Sequence, residues 1–171
     1  MRPMLQFVKD RFGDKELIGV EVGIWKGENS RNIMENLNIK ICYFIDPFNA
    51  YTTYNGRFFD KKYMLVNLIF AMIRLEPFDK HIHIIIKTSK EGSLDVDNNL
   101  DFVYIDGNHS YKNIKEDIKI WFEKVVSGGV FGGDDYHIKY VKRAVDEFVK
   151  KYNKKLYIEN YGDCIDWWIV K

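Results

Sequence analysis

The chain has 171 residues, 46% hydrophobic and 16% aromatic, enough to bury one core and too apolar for disorder. Its 26 basic and 25 acidic residues nearly cancel, which argues against non-specific nucleic-acid binding, and no apolar run is long enough to suggest a membrane span. The N-terminal MRPMLQFVKDRFGDKE is amphipathic without a signal peptide's apolar region, and Cys42 and Cys164 make neither a disulfide framework nor a zinc motif, so a reducing, cytoplasmic setting is expected.

The first predicted strand is LIGVEVG, 17–23, carrying Glu21. It runs into a turn, EVGIWKGENS, with glycines at 23 and 27. A dinucleotide fold places a glycine where Trp25 stands, so that backbone can approach a pyrophosphate. Glu28 adds a carboxylate to the helix start that a phosphate would use. The loop is therefore bent by glycine but suited to a nucleoside ligand without phosphates. A helix follows over GENSRNIMENLN, and strand ICYFID, 41–46, ends in Asp46, where a carboxylate can accept ribose hydroxyls. As a strand-end acid, Asp46 is expected to lie outside the core. The segment PFNAYTTYNGRFFDKKY, 47–63, reads as a long aromatic and polar loop, a candidate lid.

Helix KKYMLVNLIFAMIRL leads to strand HIHIIIK, 81–87, and to Ser89. His81 and His83 share one strand face, but no Cys or third ligand accompanies them, so they are not read as a metal pair. Strand DFVYID, 101–106, then runs into Asp106, Gly107, Asn108 and His109, with Ser110 as the expected N-cap of helix SYKNIKEDIKIWFEKVV. Strand GGVFGGD, 128–134, ends in Asp134 and Asp135 before helix HIKYVKRAVDEFVKKY. KLYIENY and DWWIVK are joined by a connection too short for a crossover helix, so they form an antiparallel hairpin. The paired Trp167 and Trp168 are read as alternating strand packing.

Strands alternating with helices predict an α/β, three-layer Rossmann-like sandwich. Its sheet is expected to be mostly parallel and seven-stranded, with the hairpin at one edge, in a single domain over 1–171. Ligands of such sheets sit beyond the carboxyl ends of the strands. Glu21, Asp46, Asp106, Asp134 and Asp135 all fall there. Asp106 with the Asp134–Asp135 pair is a hard-oxygen set suited to magnesium, calcium or manganese.

E-x-G-x-x-x-G after strand one, with an acid ending strand two, resembles class I S-adenosylmethionine-dependent methyltransferases. The stretch from DFVYIDGNHSY to SGGVFGGDDY is similar to the metal-dependent macrocin- and mycinamicin-type sugar O-methyltransferases. The resemblance implies that Asp106, Asp134 and Asp135 bind a divalent metal such as magnesium, with His109 as base and Asp106 beside the chemistry. It implies that Glu21, Gly23, Gly27 and Asn29, the last where related loops often carry serine, hold the methionine part of the cofactor. Asp46 would hold its ribose and Ser89 its adenine side. The expected activity is O-methylation of a small hydroxylated acceptor, a sugar or other diol, by a chain that can form a homo-oligomer. Two other readings stand beside it: a non-catalytic nucleotide-binding or assembly protein on this fold, and a metal-independent methyltransferase.

Overall fold

A computed structural model describes residues 1–53 and 55–171; Tyr54, within the expected lid, lies outside the described residues. The elements in chain order begin with α1 (Pro3–Phe12), β1 (Leu17–Val22), α2 (Glu28–Asn36), β2 (Ile39–Ile45), β3 (Tyr51–Thr52) and β4 (Phe58–Phe59). They continue with α3 (Lys61–Leu75), β5 (Ile82–Ile85), α4 (Ser89–Gly92), β6 (Leu100–Ile105), α5 (Tyr111–Lys124), β7 (Val125–Gly133), α6 (Lys139–Tyr152), β8 (Tyr157–Tyr161) and β9 (Cys164–Val170).

Every predicted strand and helix is present. The main sheet has seven strands in the order β5-β2-β1-β6-β7-β9-β8, parallel as far as β7 and antiparallel through β9 and β8. The fold is the expected Rossmann-like sandwich with its terminal hairpin. The 47–63 segment differs from expectation: its described residues include the antiparallel pair β3–β4 and the first turn of α3, capped by Asp60, whose carboxylate accepts the Tyr63 N–H at 2.7 Å. Aromatic side chains explain the order, since Tyr51, Phe59 and Tyr63 pack on one another and on Trp25.

Burial on both faces accounts for the near-continuous apolar strands. One core lies between the sheet and α5 and α6, and includes Val103, Phe131, Trp121, Val145 and Trp167. The other lies under α1, α2 and α3, and includes Leu5, Ile33, Phe44, Tyr104 and Trp168. The tryptophan pair thus splits between the faces, as strand alternation requires. Both cysteines are free, Cys42 on β2 and Cys164 on β9, strands separated by β1, β6 and β7. No described helix is long and apolar enough to cross a membrane.

Helix α1 is fastened by its first residues. Arg2 precedes the helix and makes no cap bond of its own; Asp166 on β9 instead accepts the Met4 N–H at 3.1 Å. Ser110 caps α5 as expected, accepting from Asn113 N–H at 3.4 Å.

Candidate active site

Beyond the carboxyl ends of the parallel strands lies a cleft of about 540 Å³, a size that suits a small organic ligand. Gly23, Asp46, Ser89 and Asp106 line it; Glu21, Gly27 and Asn29 do not. Gly23 sits at φ +93°, and a Cβ there would collide with the backbone oxygen of Asp106. The ends of β1 and β6 meet at that point, so only glycine fits.

Glu21 is 1% exposed and works behind the cleft wall. Its carboxyl oxygens accept from the Asn29 amide at 2.7 Å and from the Ser30 hydroxyl. Burial pushes its pKa up to about 8 against the pull of those two donors. Glu21 thereby ties the start of α2 to β1 and fixes the loop between them.

Asp46 is buried, contrary to the expectation that it lies outside the core. One carboxylate oxygen accepts from the backbone N–H groups of Ile24 at 3.0 Å and Trp25 at 3.1 Å. The other accepts from Phe48 N–H at 2.8 Å. Trp25 and Phe48 are non-glycine residues at positive φ, +52° and +43°, and Asp46 holds both bends. Burial raises its pKa, opposed by these three bonds. A carboxylate has about four acceptor sites, so it retains capacity for a ligand hydroxyl.

At the cleft's other end, Trp121 Nε1–H donates to Ser89 Oγ at 2.8 Å, and the Ser89 hydroxyl donates to Asp117 at 2.5 Å. Burial pushes the Asp117 carboxyl up to about 7. Asp117 was not singled out from sequence. Its signal is an acid on the apolar stripe Ile114, Ile118, Trp121 of α5, where burial costs dearly unless the group has a task.

The acids ending β6 and β7 meet, but not as one set. Ligand atoms of Asp106, His109 and Asp135 lie within 4.8 Å of one another, whereas Asp134 groups with Asp135 and Cys164. His109 Nε2 is 3.0 Å from Asp135 and 3.6 Å from Asp106, and His137 approaches Asp135 from the other side at 3.6 Å. Burial works to lower the His109 pKa, but the Asp106 hydrogen bond and the charges of Asp135 and its neighbours outweigh it, leaving it raised. Burial pushes Asp106 up to about 6. Asp135 adopts φ +62°, a third strained non-glycine at this rim.

Asp134 is held elsewhere. Its carboxylate accepts from Arg2 at 2.7 Å and from Asp135 N–H at 2.5 Å, while Trp167 Nε1–H donates to its carbonyl at 3.2 Å. Arg2 also pairs with the fully buried Asp166 at 2.8 Å and donates to the Tyr104 hydroxyl at 2.6 Å. Sequence reasoning missed Arg2 and Asp166, because nothing in the N-terminal stretch marks an arginine that reaches the far end of the sheet. The carboxylates of Asp106 and Asp135 are hard-oxygen donors that could hold a divalent cation, with the His109 imidazole beside them; Asp134 is less available while Arg2 pairs with it.

A family model described as Methyltransferase domain matches residues 20–136, more than half of the chain. Uncharacterized protein R132 of Acanthamoeba polyphaga mimivirus is 27% identical over 134 residues, 78% of this chain; the chain spans 58% of that relative's length. Among solved structures, an rRNA methylase from Streptococcus thermophilus aligns with a TM-score of 0.70 at 17% identity, covering 100% of this chain and 97% of its own. SMU.1697c of Streptococcus mutans, assigned as a methyltransferase and solved in complex with SAH, gives 0.72 at 17% identity over 100% and 98%. The O-methyltransferase NovP gives 0.69 at 20% identity over 98% and 79%. These structural likenesses establish the fold. The family model runs from within β1 through the Asp134–Asp135 turn and spans the residues that line the cleft: the chain belongs to the methyltransferase-domain family.

Proposed function

We propose that this enzyme transfers a methyl group from S-adenosylmethionine to an oxygen of a small hydroxylated acceptor, a sugar or another vicinal diol, with help from a divalent cation. One observation carries the reading: the cleft lined by Gly23, Asp46 and Ser89 is continuous with Asp106, which stands beside His109 and Asp135. Ligand pocket and acid rim thus share a wall, as a cofactor and an acceptor must.

S-adenosylmethionine would supply an electrophilic methyl carbon and leave as the neutral thioether. Asp46 offers acceptors to its ribose, the Gly23 turn lines the path of its chain, and Ser89 with Asp117 offers polar partners to its base. A divalent cation, the magnesium class being best suited to carboxylates, would lower the pKa of an acceptor hydroxyl. Asp106 and Asp135 would hold it. His109 stands within reach to take the hydroxyl proton while the acceptor oxygen gains the methyl group. Orientation of that oxygen against the methyl carbon supplies the remaining advantage.

Asp106 and Asp135 make this end of the cleft acidic, whereas Glu116 is paired with Lys90; the acid pair disfavours a polyanionic acceptor such as RNA and favours a neutral one that a cation can bridge. The test is calorimetry with S-adenosylhomocysteine, then methyl transfer to a panel of sugars and diols with and without magnesium. Micromolar S-adenosylhomocysteine binding, roughly −8 kcal/mol, and chelator-sensitive transfer support the reading. Full transfer after chelation points to the metal-independent alternative, for which the Arg2–Asp134 pair is the favouring observation.

A further inference from the structure

Helix α3 buries only a narrow stripe, Met64, Asn67, Ala71 and Leu75, against the rest of the fold. Its outward side is apolar: Leu65, Val66, Ile69, Phe70, Met72 and Ile73 are all exposed, Ile69 by 57% and Ile73 by 66%. The other surface helices behave differently. Exposed positions of α5 read Lys112, Lys115, Lys119 and Glu123, and those of α6 include Lys142, Arg143, Asp146 and Glu147. A helix apolar on all sides is normally covered. The only charges along the outer stripe stand at its ends, Lys62 in the first turn and Glu76 just past the last, both exposed.

We propose that this stripe is the two-fold interface of a homodimer, with α3 packed antiparallel on α3 of a second copy about an axis through Ile69. The register follows from the spacing. Helical periodicity of 3.6 puts Lys62, Leu65, Val66, Ile69, Met72, Ile73 and Glu76 on one side. Antiparallel pairing centred on Ile69 then sets Leu65 against Ile73 and Val66 against Met72. The same pairing brings Lys62 of each copy to Glu76 of the other, so the charges are self-complementary, as an isologous contact demands. The six apolar side chains expose on the order of 500 Å², and the flanking Lys62 and Glu76 extend the patch toward the roughly 800 Å² per partner of a stable interface. A membrane is a poorer occupant: interfacial helices carry basic residues along their polar face, whereas of the basic residues of α3, Lys61 and Lys62 stand at one end only, Arg74 is bonded to Glu28 and the Lys26 carbonyl, and the other end carries Glu76 and Asp79.

Sedimentation of the intact chain decides it. A species of about twice 20.4 kDa is expected, and Ile69→Lys should return it to a monomer that still unfolds cooperatively, with a melting temperature that no longer rises with protein concentration. Lys62→Glu and Glu76→Lys should each weaken the dimer about tenfold by facing like charges, and the double reversal should restore it. Both positions are exposed, so these variants decide the matter even if Ile69→Lys fails to fold. A wild-type chain that stays monomeric at every concentration overturns the proposal. So does a double reversal that does not restore association, or a monomer that floats with phosphatidylglycerol vesicles.

Discussion

Asp46→Ala removes the acceptor for three backbone N–H groups at once, those of Ile24, Trp25 and Phe48. Ile24 and Phe48 are buried at 4% and 1% exposure, so water does not replace the lost bonds there. Leaving a buried donor unsatisfied costs about 1–3 kcal/mol. Two such donors and a third, partly hydrated one sum to roughly 3–6 kcal/mol, reduced somewhat because the buried carboxylate is itself costly, as its raised pKa shows. The expected loss is therefore about 3–5 kcal/mol, read from urea unfolding at neutral pH. Asp46→Asn keeps one carbonyl oxygen but turns an amide N–H₂ toward a donor, so it should fall between the parent and alanine. Calorimetry with S-adenosylhomocysteine on whatever fraction folds measures the ligand contact separately. A loss below about 1 kcal/mol with Ala would refute the view that this acid is the hub of the loop. Intact stability with abolished binding would make Asp46 a ligand contact alone.

Arg2→Ala strands Asp134 and Asp166 without their cation, and breaking a buried pair this way should cost about 3–5 kcal/mol; magnesium should raise the melting temperature of this variant more than that of the parent, because Asp134 is released. Glu21 titrates near 8 when folded, against an ordinary 4.5, so the unfolded chain gives up its proton first. Its contribution to stability is complete below the ordinary value, falls as pH rises between the two, and is lost above about 8; Glu21→Gln cannot ionise, so urea midpoints of parent and variant should shift relative to each other across that window, and parallel curves would contradict the assignment. Gly23→Ala places a side chain at φ +93° against the Asp106 carbonyl and should lower stability by at least about 2 kcal/mol in thermal unfolding. Asp135→Asn and chelation should each remove methyl transfer to a diol acceptor while calorimetric affinity for S-adenosylhomocysteine stays unchanged; loss of both would mean the rim and the cleft are one structural unit.

Local rules made the architecture legible in the chain. Short, near-continuous apolar runs marked the strands, period-3.6 stripes such as Ile114, Ile118 and Trp121 marked the helices, and alternation of the two implied a parallel sheet with its ligands at the carboxyl ends. Acids ending β2, β6 and β7 were equally visible, because a polar residue closing an apolar strand stands out by contrast. The 47–63 segment was not legible: its two-residue strands are too short to carry a period, and the aromatic packing on Trp25 that orders them joins separate parts of the chain. Which way each acid points depended wholly on tertiary contacts. Arg2 and Asp134 are 132 positions apart in the numbering, yet docking of α1 beneath β9 brings the guanidinium to within 2.7 Å of that carboxylate. Asp134 thereby pairs with Arg2 and groups with Asp135 and Cys164 rather than with Asp106 and His109. Spacing along a chain determines which face of its own element a side chain takes, whereas its counter-ion is whatever group the packing of distant elements brings within Coulomb reach.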